Sequence, residues 1–163
     1  MKKALSCLIF CLALAALTAC APKGAQWIST LGYELYYDDE QFTAMSDLQV
    51  DQFRLTESAG QDVAVYLAVQ RLDDYTPQQL LDAMLEVGYE LETGEATIGT
   101  QDYPVLTASG TDSGSAHVFY FLADGTGTVL LETNCAEGDE QAEADLAAML
   151  ETFTLTPQNS TQD

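Results

Sequence analysis

His117 is the only histidine of the chain and Cys135 is the only cysteine after residue 20, so these two residues are the candidates for nucleophilic chemistry. A thiol or hydroxyl nucleophile needs an adjacent general base, which is most often histidine. If residues 117–122 and 129–131 pair about the turn Asp124-Gly125-Thr126-Gly127, His117 lies near Thr133 or Cys135. No catalytic motif surrounds them. The sequence therefore favours a structural histidine, and we predict no catalytic residue.

Carboxylates grouped in loops are the next candidates, because calcium accepts carboxylate and carbonyl oxygens. Zinc is a poor fit, since a chain with one histidine and one remaining cysteine lacks its usual ligands. The spacing of the acidic groups does not follow an EF-hand loop, so solvated loops are the favoured interpretation and a calcium-dependent domain is an alternative. We predict no metal and no cofactor. The groups are Asp38-Asp39-Glu40, Asp73-Asp74 and Glu137-Gly138-Asp139-Glu140.

Two glycine-bearing segments, Gly110–Gly114 and Asp124–Gly127, lack the lysine and the following helix of a phosphate-binding loop and are read as turns. Five aromatic residues could form a recognition surface, because exposed aromatic side chains favour binding. Half-buried packing is the favoured interpretation for each of them. They are Trp27, Tyr36, Tyr37, Tyr75 and Tyr103.

The charge balance limits the partners of the protein. The chain has 5 Lys and Arg residues against 26 Asp and Glu residues, a formal net charge of −21. Binding to nucleic acid requires basic residues that neutralise phosphates, so this class of function is excluded. An acidic surface instead favours a basic partner or cations.

The elements that position these residues are mostly strands. Alternating apolar residues predict strands at 62–72, 117–122 and 129–131, and weaker ones at 32–37, 50–56, 96–100 and 103–109. Several are apolar on both faces, which is typical of a sheet covered on both sides. Thr76, Pro77 and Gln79 form a capping box that begins a helix ending near Gly88, and Asp139 caps a second helix that runs to about Phe153. We therefore predict an α+β fold, a single antiparallel sheet with helices packed on both faces.

The first nineteen residues have the composition of an export signal. Lys2 and Lys3 precede an apolar run over residues 4–19, and a small residue stands before a cysteine. The ending Leu17-Thr18-Ala19-Cys20 resembles the lipobox of bacterial lipoproteins. This resemblance implies that Cys20 receives a diacylglyceryl group and becomes the mature N-terminus. We expect the protein to be anchored by lipid to a bacterial cell membrane, outside the cytoplasm.

The remaining chain is divided into three parts. Residues 20–29 are predicted to be the lipidated cysteine and a tether, residues 30–156 a single domain, and residues 157–163 a disordered polar tail. Cys7 and Cys11 leave with the signal peptide, so Cys135 has no partner for an internal disulfide. Only Lys23, Arg54 and Arg71 remain as basic residues, and the acyl chains are therefore the expected membrane contact.

The layout of the domain is similar to that of the PsbP-like family, which is named for an extrinsic subunit of photosystem II. The resemblance covers about Tyr33 to Leu155 and implies an α/β/α sandwich without catalysis that binds or helps to assemble protein complexes. Family members in photosynthesis dock through basic residues, and no functional residue of the family is carried over to this chain. The matching segments are Asp38-Asp39-Glu40-Gln41-Phe42, Thr76-Pro77 and Met149-Leu150-Glu151-Thr152-Phe153.

Together these observations predict a lipid-anchored extracytoplasmic module that binds a protein or a small ligand without turnover. The acidic surface favours a basic protein as the partner. An envelope enzyme of the hydrolase kind with an unrecognised site is the alternative from a different class. A deep pocket with convergent polar groups would favour the enzyme, and a shallow surface would favour the binding module.

Overall fold

A computed structural model of the chain describes residues 24–56, 63–102 and 104–156. The predicted signal peptide, Cys20, Tyr103 and the predicted tail over residues 157–163 lie outside the described residues. The described part forms ten strands and two helices. The strands are β1 Ala25–Ser29, β2 Tyr33–Tyr37, β3 Phe42–Ser46, β4 Val50–Leu55, β5 Tyr66–Asp73, β6 Glu92–Ala96, β7 Val105–Asp112, β8 Ser115–Ala123, β9 Gly127–Ala136 and β10 Thr154–Leu155, and the helices are α1 Pro77–Glu86 and α2 Glu140–Glu151.

The strands form two antiparallel sheets. The larger sheet has seven strands in the order β3-β4-β5-β9-β8-β7-β6, and the smaller has three in the order β1-β2-β10. Because side chains alternate along a strand, the register divides the large sheet into two faces. The inner face carries Leu67, Val69, Val129, Leu131 and Leu122, and the outer face carries Tyr66, Ala68, Leu130, Glu132 and Phe119.

The small sheet and α2 together cover the inner face. Tyr33 and Leu35 of β2 are fully buried, while Glu34 between them points outward. The apolar side of α2 consists of Ala142, Leu146, Met149 and Leu150. All of these residues belong to one core with Phe53, Leu67 and Leu131. Burial of this apolar surface is the main stabilising contribution to the fold.

Helix α1 covers only part of the outer face. Its start is the predicted one, because the Thr76 hydroxyl accepts from the Gln79 amide and the Gln79 side chain accepts from the Thr76 amide. Leu81 packs on Ala108, Phe119 and Phe121 in a second, smaller core. Among the described residues, no helix lies above the strands toward β3 on this face.

The prediction of a single sheet with a helix layer on each face is wrong, because the structure has two sheets and is mostly β. Residues 25–29, which were assigned to the tether, form β1 and pair along their whole length with β2. The extension Thr154-Leu155 pairs with β2 as β10. Helix α2 alone is too narrow to cover seven strands, and the small sheet buries the rest of the inner face.

A single carboxylate joins the two sheets. Asp51 of β4 lies on the inner face, is 1% exposed, and accepts hydrogen bonds from the small sheet and from β3. The donors are the Trp27 indole at 3.2 Å, the Ser29 hydroxyl, the Tyr33 hydroxyl at 2.6 Å and the Ser46 hydroxyl at 2.5 Å. A buried carboxylate is tolerated when it is hydrogen bonded in this way.

Candidate functional site

The structure separates His117 from Cys135. His117 pairs with Asn134 across the β8–β9 hairpin and Ala116 pairs with Cys135, so His117 and Cys135 point to opposite faces of the sheet. Cys135 is buried beneath α2 on the inner face. Burial raises the pKa of its thiol, and the nearby carboxylates of Glu143 and Asp139 raise it further. A neutral, enclosed thiol without a general base is a packing residue.

The acidic loops carry structural hydrogen bonds. Asp38 accepts from the Glu40 amide at 3.0 Å and from the Gln41 side chain at 2.8 Å. The hydrogen bond from the Gln41 side chain, and to a smaller extent that from the Glu40 amide, holds the pKa of Asp38 below its usual value. Asp139 accepts from the Ala142 amide and caps α2. Asp73 binds Arg71 at 2.9 Å. Within the described residues no three His, Cys, Asp or Glu side chains are placed to hold a metal ion.

Most of the predicted aromatic candidates are packing residues. The rings of Trp27 and Tyr37 both contact Phe53, with centroids 5.6 Å and 5.1 Å from the Phe53 centroid. Tyr36 is half-buried. Tyr75 is exposed at the start of α1. These four residues do not form one recognition surface.

A groove between the end of α1 and the outer face of the large sheet is the best candidate site, and we call it the α1 groove. Its volume is about 670 Å³, larger than the other cavities described, which are 290–340 Å³. This size matches a small-molecule site or a peptide groove. The lining residues are Met84, Gly88, Tyr89, Glu90, Leu91, Gly110, Thr111, Asp112, His117, Phe119, Leu130 and Glu132.

The floor of the α1 groove is apolar and aromatic. Phe119 of β8 and Leu130 of β9 project from the sheet, and Met84 and Leu91 pack beside them. The His117 ring stacks on Phe119 with an interplanar angle of 6° and a centroid distance of 6.3 Å. Such a floor can bind apolar or aromatic parts of a ligand.

Polar groups meet at one side of this floor. Glu132 accepts from the Tyr66 hydroxyl at 2.7 Å, and its Oε1 lies 3.2 Å from His117 Nδ1. Burial raises the pKa of Tyr66, and so do the hydrogen bond and the charge of Glu132. These contacts fix the Glu132 carboxylate at the floor. Among the described residues, no thiol or hydroxyl is hydrogen bonded to His117, whose Nδ1 contacts the Glu132 carboxylate.

The charge of the α1 groove is negative. Its lining residues include three carboxylates, Glu90, Asp112 and Glu132, and no lysine or arginine. Arg54 is close enough to Tyr66 to act on its pKa, but it does not line the groove. A positive group of a ligand would therefore be attracted to this groove.

Two glycines determine the position of residues 89–91, which form one wall of the α1 groove. Gly88 has a φ of +96° and follows α1, where its amide donates to Leu85 and the Tyr89 amide donates to Met84. This is a Schellman ending, which turns Tyr89 away from the helix axis. Gly110 of β7 permits close approach, since a Cβ there would lie 2.7 Å from the Glu90 carbonyl oxygen. Residues 89–91 therefore rest directly on the sheet.

Substitution Gly110→Ala tests this packing. The added methyl meets backbone at Glu90 and the Leu91 side chain at 3.0 Å, so residues 89–91 must move. We expect a loss of about 1–3 kcal/mol in the free energy of unfolding, the usual cost of overpacking. Urea denaturation of the purified variant measures it. Gly94→Ala is the matched control, because its methyl meets only the movable Thr107 hydroxyl at 3.2 Å; equal losses in the two variants would contradict this account.

Sequence reasoning missed the α1 groove, although one signal pointed to it. The predicted apolar side of the first helix includes Leu85, which is 41% exposed, and the following Val87 and Tyr89 are 75% and 55% exposed. Apolar side chains that continue past the end of a helix and stay in solvent indicate a contact surface. The pairing of His117 with Glu132 depends on register between β8 and β9, which the sequence did not determine to within one residue.

Comparisons with known proteins give the fold alone. The sequence matches no protein-family model and no curated protein. In the described part of the chain, neither helix is long and apolar enough to cross a bilayer. A crystal structure from Bacteroides thetaiotaomicron at 1.50 Å resolution is similar, with a TM-score of 0.51 and 15% identity. The match covers 83% of this chain and 49% of the other, so this chain spans about half the length of that protein, with which it shares a fold.

Proposed function

We propose that this protein is a lipid-anchored extracytoplasmic binding module that holds a basic, partly apolar partner in the α1 groove without chemical turnover. One observation carries the proposal: an open groove with an aromatic floor is lined by three carboxylates and by no lysine or arginine. Charge complementarity of this kind selects cationic partners and speeds their association.

The binding part of the proposal is tested with peptides of matched length. A peptide that alternates lysine or arginine with leucine or phenylalanine is expected to bind the chain in calorimetry, and its counterpart with glutamate at the basic positions is not. Glu132→Gln and Asp112→Asn together should weaken binding about tenfold or more, since each removes a charge that faces the ligand. Asp39→Asn is the matched control, because Asp39 is exposed and does not line the groove. Equal binding of both peptides would refute the proposal.

The anchor is tested by Cys20→Ala. Without the cysteine no acyl chain is attached, and the few basic residues of the chain provide little attraction to anionic lipid. The exported variant should therefore appear in the soluble fraction after cell fractionation, whereas the unaltered chain stays with membranes. Persistent membrane association of Cys20→Ala would show a second contact and contradict an anchor through lipid alone.

A further inference from the structure

The register of the large sheet shows which end of the domain holds the α1 groove. One row of paired residues crosses the sheet from β3 to β7, and the polar side of the groove lies in this row. The row consists of Thr43, Arg54, Tyr66, Asn134, His117 and Gly110. Thr43 stands at the start of β3 and Gly110 near the end of β7, so both belong to the same end of the sheet. We call it the entry end.

The chain enters the domain at this same end. Gly24 precedes β1 and lies so close to β2 that a Cβ on it would be 2.1 Å from the Tyr37 carbonyl oxygen. Tyr37 ends β2 and is joined to β3 by only residues 38–41. The first described residue is therefore fixed beside the start of β3. The groove, which is lined by β9, β8 and β7, lies three to five inter-strand spacings along the row from the point of chain entry, or about 14–24 Å.

Lipidation at Cys20 would hold the entry end close to the bilayer. Since Gly24 is already packed on the domain, the tether is limited to residues 20–24, which span at most about 15 Å when extended. The opposite end of the sheet, at the β3–β4 turn over residues 47–49, lies about five residues, or roughly 17 Å, farther along β3. A tether of at most about 15 Å therefore holds the entry end nearer to the bilayer than the opposite end.

The groove walls at the entry end are both apolar and acidic. Tyr89 and Leu91 line the groove there, Tyr89 is exposed, and Glu90 and Asp112 lie beside them. Anionic lipid head groups repel such carboxylates, so the bilayer itself is a poor occupant. A basic protein segment next to the membrane fits both the groove and the bilayer surface, because its lysine and arginine side chains are attracted to the groove carboxylates and to anionic head groups.

We propose that the occupant of the α1 groove is the basic juxtamembrane segment of a protein that spans the membrane to which Cys20 is anchored. This inference rests on the proposed function and adds where the partner lies. The apolar side chains of the partner's segment would pack on Phe119 and Leu130, and its lysine and arginine side chains would face Glu132 and Asp112. Anchoring both partners in one bilayer raises their effective concentration, so a segment that binds the α1 groove weakly in solution would occupy it at the membrane.

The orientation is tested with the full lipidated chain in phosphatidylcholine vesicles. A donor dye is attached either at Glu137→Cys, at the entry end, or at Leu48→Cys, at the opposite end; both residues are exposed. The bilayer contains acceptor-labelled lipid. Energy transfer is expected to be clearly stronger from the first position. A twenty-residue Gly/Ser insertion after Gly24 should remove most of the difference. Equal transfer from the two positions without the insertion would overturn the inference.

The occupant is tested with a synthetic transmembrane peptide in the same vesicles. Its Lys/Arg/Leu segment is placed either directly at the head groups or beyond a thirty-residue Gly/Ser spacer, and the directly placed segment is expected to bind the anchored chain at least tenfold better. A soluble copy of the segment is titrated into the Cys20→Ala chain. If the soluble copy binds and position makes no difference, the inference fails and the proposed function stands. If neither the membrane-bound segments nor the soluble copy binds, the inference and the proposed function both fail. Binding of the Cys20→Ala chain to vesicles without peptide would assign the groove to lipid instead.

Discussion

Asp51→Ala is expected to lower the free energy of unfolding by about 4 kcal/mol or more, since several buried donors would lose their acceptor at about 1–3 kcal/mol each. The donors come from Trp27, Ser29, Tyr33 and Ser46, and three of them belong to the small sheet. The loss is therefore concentrated where the two sheets meet. Urea denaturation at pH 7 measures it, and Asp39→Asn, on an exposed turn, should change stability by less than about 0.5 kcal/mol.

The pH dependence of stability gives a second measurement on the same residue. Burial raises the pKa of Asp51, but hydrogen bonds from Ser29, Ser46, Tyr33 and Trp27 outweigh burial and lower it overall. A carboxylate with a lowered pKa in the folded state stabilises the protein above the unfolded value of about 3.9, and this contribution is lost as the pH falls through the folded value. Asp51→Asn should therefore flatten the loss of stability between about pH 4 and pH 2. An unchanged acid limb in this variant would show that other carboxylates govern acid unfolding.

At alkaline pH the same cluster acts in the opposite direction. Burial, followed by the hydrogen bond and charge of Asp51, raises the pKa of Tyr33 well above its usual value near 10. Burial likewise raises the pKa of Tyr120. Groups with a raised pKa stabilise the fold below the unfolded value, and this contribution is lost as the pH rises above it. The Cys135 thiol also has a raised pKa, and its contribution is lost above an unfolded value of about 8.5. The protein should therefore be most stable between about pH 4 and pH 8.5.

Local sequence signals predicted the elements whose causes are local. The Thr76 capping box, the Asp139 cap and the Asp124–Gly127 turn each depend on residues within four positions, and all three are confirmed. The small sheet depends on contacts that are distant in sequence, because β10 pairs with β2 about 120 residues earlier. Strands β1 and β3 are five residues long and half-exposed, which leaves no strong alternation to detect. The architecture was therefore mistaken although most elements were found.

The candidate site was missed for a related reason. A shift of one residue in strand register moves a side chain to the other face of a sheet, so a register uncertain by one residue cannot separate Cys135 from Glu132 as the neighbour of His117. The carboxylate found beside His117 is held by Tyr66, which lies on a different strand and 66 positions away. A groove built from a helix end, a loop and three strands has no signature along the chain.

Arg71→Met is expected to lower the free energy of unfolding by about 3 kcal/mol, the lower end of what removing one partner of a buried ion pair costs. The Arg71 side chain is 9% exposed and binds the Asp124 carboxylate, which is 13% exposed. Its guanidinium also donates to the Thr126 hydroxyl at 2.6 Å and to the Leu31 carbonyl at 3.3 Å. One side chain thus joins the β8–β9 turn to the β1–β2 turn, and methionine keeps its length without its charge.

The partner of this pair is strongly fixed. Burial raises the pKa of Asp124, but backbone hydrogen bonds from Thr126 and Gly127, with help from the Arg71 charge, lower it overall. Removing Arg71 leaves this carboxylate with its amide donors but without a counter-charge. The double variant with Asp124→Asn should therefore recover part of the loss, with a coupling energy of about 1–3 kcal/mol in a mutant cycle.

Asp73→Asn separates this buried pair from an exposed one on the same guanidinium. Asp73 binds Arg71 at 2.9 Å but is 68% exposed, so water screens the interaction and its loss should cost about 0.5 kcal/mol or less. Thermal and urea denaturation of the three single variants and the double variant complete the comparison. If Arg71→Met costs no more than Asp73→Asn, the arginine is an ordinary surface residue. If the cost is large and coupled to Asp124, one of the few basic residues in a highly acidic chain is held in a buried ion pair.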